Sequence, residues 1–416
     1  MVKAHITMPK EHINNLYSWL LNFQIFNDQY KRRYDASKQY DENDIFIFFD
    51  PTWRHPDYPD GLAFFDTKHN CAAILGMSYF GEIKKGTLTL AWATAARNNY
   101  VSCHGGLKIF RKEGASYVAS FFGLSGSGKS TLTHAKHDDK YDIEVLHDDA
   151  FVISVEDGSS VALEPSYFDK TNDYPAGHRE QDYFVTVQNC GVTLDENGRK
   201  VLVTEDIRNG NGRTVKSRYS TPNRVDKISE PIQSIFWIMK DDALPPLVKI
   251  TDPRLASILG CTLMTKRSTA ENTGAGANLD ALVIEPYANP FRVYPLVEDY
   301  EKFKALFDKG VDCYIINTGD FLGKKVTKEV SLGVIETVVD GKANFELFGG
   351  LPGMEYLPVE GYEVPDMNGE YAELIRDRMQ FRLDYLKAFN DANPEHQIPQ
   401  DALESIKTIE RFIDVL

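Results

Sequence analysis

Gly123-Leu124-Ser125-Gly126-Ser127-Gly128-Lys129-Ser130 combines the residue types that bind a polyphosphate. Glycines let consecutive backbone N–H groups turn toward one anion, the lysine brings a mobile cation, and the serine hydroxyl can meet a divalent metal. The loop therefore predicts a nucleoside triphosphate with its metal. Such a site also needs a carboxylate at the end of a neighbouring strand for the metal or its waters, and His147-Asp148-Asp149 closes the next apolar run. Upstream stand Tyr79-Phe-Gly-Glu-Ile-Lys84-Lys85-Gly86 and Cys103-His104-Gly-Gly106. On their own, Lys84 and Lys85 read as a solvated surface pair, and His104 as a hydrogen-bonded core or loop histidine.

These residues need elements to hold them. The apolar run Tyr117–Phe122 precedes the glycine loop and Thr131-Leu-Thr-His-Ala continues it, which is the strand, loop and helix order of a P-loop. Helical spacing of Ile13, Leu16, Trp19, Leu20 and Phe23 predicts an opening helix within residues 10–33. Strands are predicted over 44–49, 71–79, 117–122, 143–149, 234–239 and 313–317. The stretch from about 154 to 230 is polar and turn-rich, with hairpin signals at Asp195-Glu-Asn-Gly198 and Asn209-Gly-Asn-Gly212. The tail from Asn368 predicts two helices separated near Asn393-Pro394. Strands and helices in this mixture predict an α/β chain.

Composition narrows the partners. The chain has 416 residues, 42% of them apolar and 26% charged, enough for one large or two moderate domains. A net charge of -15 argues against nucleic acid or an anionic membrane as partner. Cys71, Cys103, Cys190, Cys261 and Cys313 are widely spaced without a CxxC pair and read as reduced thiols, mostly small core residues. No apolar run approaches the ~20 residues of a membrane span, and the amino end has no signal core, so the expectation is a cytoplasmic protein, monomeric or a small homo-oligomer.

Order and spacing of the motifs resemble the ATP-dependent phosphoenolpyruvate carboxykinases. The series runs from Tyr79–Gly86 through His104, the glycine loop and Asp148-Asp149 to Leu244-Pro-Pro-Leu247, Thr265-Lys-Arg267, Ile316-Asn-Thr-Gly319 and Gly323-Lys-Lys325. The resemblance spans residues 78 to about 360. It implies a phosphoenolpyruvate carboxykinase-like P-loop nucleotide-binding fold with mixed sheets, using ATP/ADP, Mg2+ and Mn2+ with a small organic acid. By matching position, Lys85, His104 and Asp149 would ligate manganese, and the lysine can do so only as a neutral amine. Lys129 and the loop from Gly123 to Thr131 would hold the phosphates, Ser130 the magnesium, and Asp148 its waters. Arg267 and Lys84 would neutralise the transferring phosphoryl group and the enolate oxygen, Tyr79 would sit beside the organic acid, and Lys170 would lie near the γ phosphate. Lys325 and Ser331 would contact the nucleotide.

The chain also departs from that pattern. It has no Gly-Arg-Ser-Pro-Lys segment, whose arginine grips the substrate carboxylate in the family, and only Arg32, Arg33 and Arg54 precede Tyr79. The expectation is a reduced amino-terminal domain over 1–110, a catalytic domain over 111–360 and carboxy-terminal helices over 361–416. Two enzymatic readings stay open: a short carboxykinase that converts oxaloacetate to phosphoenolpyruvate, and a kinase on the same module acting on another small-molecule or protein hydroxyl. A nucleotide-binding regulator would leave Lys85, His104 and Asp149 without a purpose.

Overall fold

The computed structural model describes residues 1–171, 191–203, 212–217, 223–266 and 281–415. The chain divides into two compact units, one of residues 1–98 and 162–226, the other of 99–161 and 227–416. Both are mixtures of helix and sheet, so the chain is α/β with several mixed sheets. Among the described residues no helix is long and apolar enough to cross a membrane.

The first unit is built on a four-stranded sheet in the order Ala4–Thr7, Ile45–Asp50, Cys71–Leu75, Leu62–Asp66, the first three parallel. Period-two alternation in Ile45–Asp50 sends Ile45, Ile47 and Phe49 into a core with Trp19, Ile83 and Leu90, while Phe46 and Phe48 face out. The predicted opening helix is broken into a 3-10 turn, a helix Ile13–Phe23 and a second helix Asp28–Asp35. Gln24 stops the first at φ 67, and the Asn27 carboxamide starts the second by accepting from the amides of Gln29 and Tyr30. The strand expected over 71–79 ends at Leu75, and an unpredicted helix occupies Phe80–Arg97, carrying Lys84 and Lys85.

A two-stranded antiparallel ribbon, Ser166–Lys170 against Arg213–Ser217, belongs to the same unit, with Val215 in its core. The hairpin expected at Asp195–Gly198 joins Val192–Leu194 to Lys200–Leu202. Asp195 accepts from the amides of Asn197 and Arg199, and Gly198 supplies φ 74. The second hairpin signal lies outside the described residues except for Gly212, as does Cys190.

The second unit centres on an eight-stranded sheet. Its order is Glu346–Leu347, Met354–Tyr356, Leu247–Ile250, Asp312–Asn317, Ser234–Met239, Ala115–Phe122, Gly106–Lys112, Asp142–His147. The strands Asp312–Asn317, Ser234–Met239 and Ala115–Phe122 run parallel, and all six residues of Ser234–Met239 are buried, as expected for a strand covered on both faces. Asp142–His147 is antiparallel to Gly106–Lys112, which is antiparallel to Ala115–Phe122. Four strands therefore end at one edge, at Phe122, His147, Met239 and Asn317. Cys103, Cys261 and Cys313 are buried, and Cys71 is half-buried. The tail forms the two predicted helices, Gly369–Ala392 and Gln400–Asp414.

Buried Asn317 ties that edge together. Its Nδ2 donates to the carbonyls of Asp241, Leu244 and Asp320 at 2.6 to 2.9 Å, and its Oδ1 accepts from the Gly319 amide. Asn317→Ala leaves these groups unsatisfied, and we expect a loss of about 2–3 kcal/mol from net contributions near 1 kcal/mol per bond, read by urea denaturation of the full chain.

Candidate active site

Four strand ends place the chemistry of the second unit. The loop Gly123–Gly128 leaves the strand Ala115–Phe122 and enters the helix Lys129–His134. Gly126 (φ 76) and Gly128 (φ 99) take left-handed backbone that side chains resist, which turns the loop onto itself. Neighbouring strand ends hold its carbonyls: Lys240 Nζ donates to Gly126 O at 2.8 Å, and Thr318 Oγ1 to Ser127 O at 2.7 Å. Lys240 is itself fixed, its amide donating to Thr265 Oγ1 and its carbonyl accepting from the Lys266 amide. With its carbonyls tied back, the loop leaves Ser125, Gly126, Ser130 and Thr131 exposed, Leu124, Gly128 and Lys129 half-buried, and Gly123 and Ser127 buried.

Asp148 and Asp149 follow the strand Asp142–His147 and diverge. Asp148 Oδ2 lies 3.2 Å from His134 Nε2. Burial alone would raise the Asp148 carboxyl, but the bond and charge of His134 outweigh it and hold the group well below the usual carboxylate range. Asp149 instead meets His104 at the end of the strand Tyr100–His104, with Oδ1 3.0 Å from His104 Nε2. The other ring nitrogen, Nδ1, is 2.5 Å from the carbonyl of Ala288 and must donate to it. That carbonyl sits in a turn where Tyr287 (φ 53) and Ala288 (φ 52) are both left-handed, pinned by stacking of Tyr287 on Phe303 and its hydroxyl bond to Ser257.

The histidine thus has an acceptor against each nitrogen, so a positive charge belongs in the gap: a second proton on the ring or a cation beside Nε2 and Oδ1. A backbone carbonyl on Nδ1 with Nε2 turned to a carboxylate is the arrangement that orients a metal-ligating histidine. This donor pair fits a divalent transition metal. Among the described residues no group of three or more His, Cys, Asp and Glu is placed to hold one.

The model of the phosphoenolpyruvate carboxykinase family, ATP type, matches residues 30–366. The chain belongs to this family. The phosphoenolpyruvate carboxykinase (ATP) of Aeropyrum pernix is 25% identical to it over 363 residues, covering 78% of this chain and 70% of that protein.

The remaining carboxykinase-type positions fall in both units. In the second, Lys325 is exposed, its Nζ 3.4 Å from Thr318 O, and Ser331 is buried with its hydroxyl donated to Thr327 O. Arg267 lies outside the described residues. In the first unit, Tyr79 precedes the helix Phe80–Arg97 and is 37% exposed. Lys84 is buried and paired with Glu164 Oε1 at 2.9 Å, and Asn22 Nδ2 donates to the other oxygen. Lys85 is half-buried, its Nζ 5.7 Å from the Trp92 ring centroid. Phe168 gathers this group, with ring centroids 6.1 Å from Tyr79 and 5.0 Å from Phe80, and Lys84 Nζ 6.0 Å away. Lys170 stands two residues further along the same strand. Arg54, a candidate for the missing carboxylate grip, is folded back on Pro51 O and Trp53 O of its own loop.

Sequence reasoning missed Lys240, Thr318, Glu164, Lys108 and Arg213. Thr318 sits in the quoted Asn-Thr-Gly motif and Lys240 directly after a strand, a position that could have flagged them. Lys108 is buried beneath the glycine-loop helix, its Nζ donating to Leu132 O at 2.7 Å, Ala135 O at 3.2 Å and His137 Nε2 at 2.9 Å. His137 Nδ1 in turn donates to Glu336 at 2.9 Å. Burial first, then the Lys108 charge, lowers the His137 pKa to about 4 against the opposing pull of Glu336. A histidine held neutral by the fold loses stability as pH falls from its unfolded value near 6.5 toward 4, because the unfolded chain binds the extra proton. We expect the unfolding free energy of the parent protein, read by urea denaturation, to fall across that window by up to about 3 kcal/mol; His137→Gln should flatten that slope, and an unchanged slope would rule out the arrangement.

Proposed function

We propose that the chain catalyses ATP-dependent decarboxylation and phosphorylation of oxaloacetate, giving phosphoenolpyruvate, ADP and carbon dioxide. The family match across residues 30–366 carries this reading, supported by a glycine loop with its carbonyls tied back and by the His104–Asp149 pair. On this reading the amino-terminal region is a shortened form of the family's. The bond between the β-carboxyl and its carbon breaks, carbon dioxide leaves, and the electron pair stays as an enolate. The enolate oxygen then attacks the γ phosphorus as the bond to the β-phosphate oxygen breaks. No covalent enzyme intermediate is needed, so the protein's part is positioning and charge neutralisation.

The roles follow position by position. Lys129 and the amides of the Gly123–Thr131 stretch bind the β and γ phosphates, and Asp148, kept ionised by His134, would hold the waters of the nucleotide's magnesium. Ser130 would hold that magnesium, and Lys85 as a neutral amine would join His104 and Asp149 in holding manganese, which when bound supplies positive charge to the developing enolate. Lys84 and Arg267 balance the phosphoryl and enolate charge, Tyr79 lies beside the organic acid, Lys170 near the γ phosphate, and Lys325 and Ser331 beside the nucleotide.

The test uses purified protein with manganese, magnesium, ADP, phosphoenolpyruvate and labelled bicarbonate. We expect label in acid-stable product; ATP binding without any label would overturn the proposal. Lys85→Ala should abolish manganese-dependent turnover while nucleotide affinity stays nearly intact.

A further inference from the structure

The cross-strand ribbon of the first unit sorts its charges by face. In the antiparallel register, residues directly opposite share a face, and successive residues alternate. Lys216 and Asp169 lie on one face and pair at 3.0 Å, a buried lysine answered by a carboxylate. The other face presents Phe168, then Lys170 directly opposite Arg213. Like charges in that position repel across Cβ separations of about 5 Å. Among the described residues neither cation has a carboxylate partner, in contrast to Lys216 and to Lys84 with its Glu164.

Arg213 is also bound in a way that leaves one of its terminal nitrogens unused. Its Nε donates to Tyr79 Oη at 3.3 Å, so the phenol oxygen is an acceptor there and its own proton remains to be donated elsewhere. Its Nη1 is buried without a hydrogen-bond partner. A buried guanidinium nitrogen with nothing to donate to is costly, and a planar fork beside a phenol O–H and a second cation matches a carboxylate. Phe168 holds Tyr79 from the side, so the phenol cannot swing away without losing that packing.

We propose that Arg213 and Tyr79 together bind a carboxylate group of the organic-acid substrate. The inference rests on the carboxykinase reading for the identity of that acid, and on the ribbon geometry for the site itself. It assigns the grip to a residue distant in sequence from the amino-terminal region, where only Arg32, Arg33 and Arg54 were candidates.

Arg213→Gln keeps a donor for Tyr79 and most of the side-chain length but removes the charge and the fork, so it is the leading variant, with Arg213→Ala and Arg213→Lys beside it. We expect the KM for oxaloacetate to rise about 10- to 100-fold in Arg213→Gln, less in Arg213→Lys, with the KM for ATP changed by less than about 2-fold. An unchanged oxaloacetate KM, or equal rises for oxaloacetate and ATP, overturns the proposal. Thermal melting of all three variants separates lost binding from lost fold, and Tyr79→Phe, which leaves the ring packing in place, should raise the oxaloacetate KM in the same sense. If the parent enzyme turns over no oxaloacetate, the carboxykinase reading fails, and calorimetric titration with succinate then decides the site. Succinate binding weakened by Arg213→Gln sustains a carboxylate site at Arg213; absent or equal binding overturns it.

Discussion

Lys108 beneath the helix Lys129–His134 is the interaction on which the placement of the glycine loop depends. A helix of six residues has no stability of its own, since its nucleus costs more than so few bonds return. Its last carbonyls would be orphaned in the interior without a donor. Lys108 supplies that donor to Leu132 and Ala135, and the helix in turn gives a buried amine the polar partners it requires. Gly106, two residues earlier on the same strand, completes the fit, because a Cβ there would stand 2.9 Å from Thr133 Cβ and drive the helix outward. The following turn, with His137, Asp138 and Asp139 all at left-handed φ of 53 to 57, is tolerated because His137 is clamped between Lys108 and Glu336.

Buried charges elsewhere in the two units are likewise answered by a partner. Lys84 is answered by Glu164, so its ammonium is a fixed part of the first unit, and removing Glu164 would leave a buried cation uncompensated. Asp148 is answered by His134. His104 and Asp149 face each other too: a ring that donates from Nδ1 turns Nε2 toward the carboxylate, and a proton or a cation reconciles the two.

Local patterns in the chain made part of this legible. The strand, glycine loop and helix order, the carboxylates after the next apolar run, the Asp195–Gly198 hairpin and the two terminal helices all announce themselves through turn chemistry or periodicity. The helix Phe80–Arg97 did not, although it carries Lys84 and Lys85. It is buried on nearly every side, including at Lys84, Thr87, Thr89 and Thr94, so it has no apolar stripe to set against a polar one. Gly81 and Gly86 further mask it as a turn. The helix predicted within 10–33 forms at Ile13–Phe23, where its periodicity lies, and one left-handed residue at Gln24 ends it. Glu164 and Arg213 were invisible because their significance lies in tertiary placement, which spacing along the chain does not encode.

Charge balance explains why that placement matters. With 61 acidic and 46 basic residues the chain repels polyanions on average, so substrates carrying phosphates and carboxylates must be met by cations screened from the chain's own acids. Secondary structure does the screening. In the ribbon Ser166–Lys170 and Arg213–Ser217, alternation sends Asp169 to one face with Lys216 and leaves Lys170 and Arg213 together on the other. Around the glycine loop, Lys240 is spent on a backbone carbonyl, which fixes the loop while Lys129 stays at the mouth of the helix. A shift of either ribbon strand by one residue would bring Asp169 to the face of Arg213 and cancel the field there. Register, rather than net charge, therefore decides which cations of the ribbon stand clear of its carboxylate.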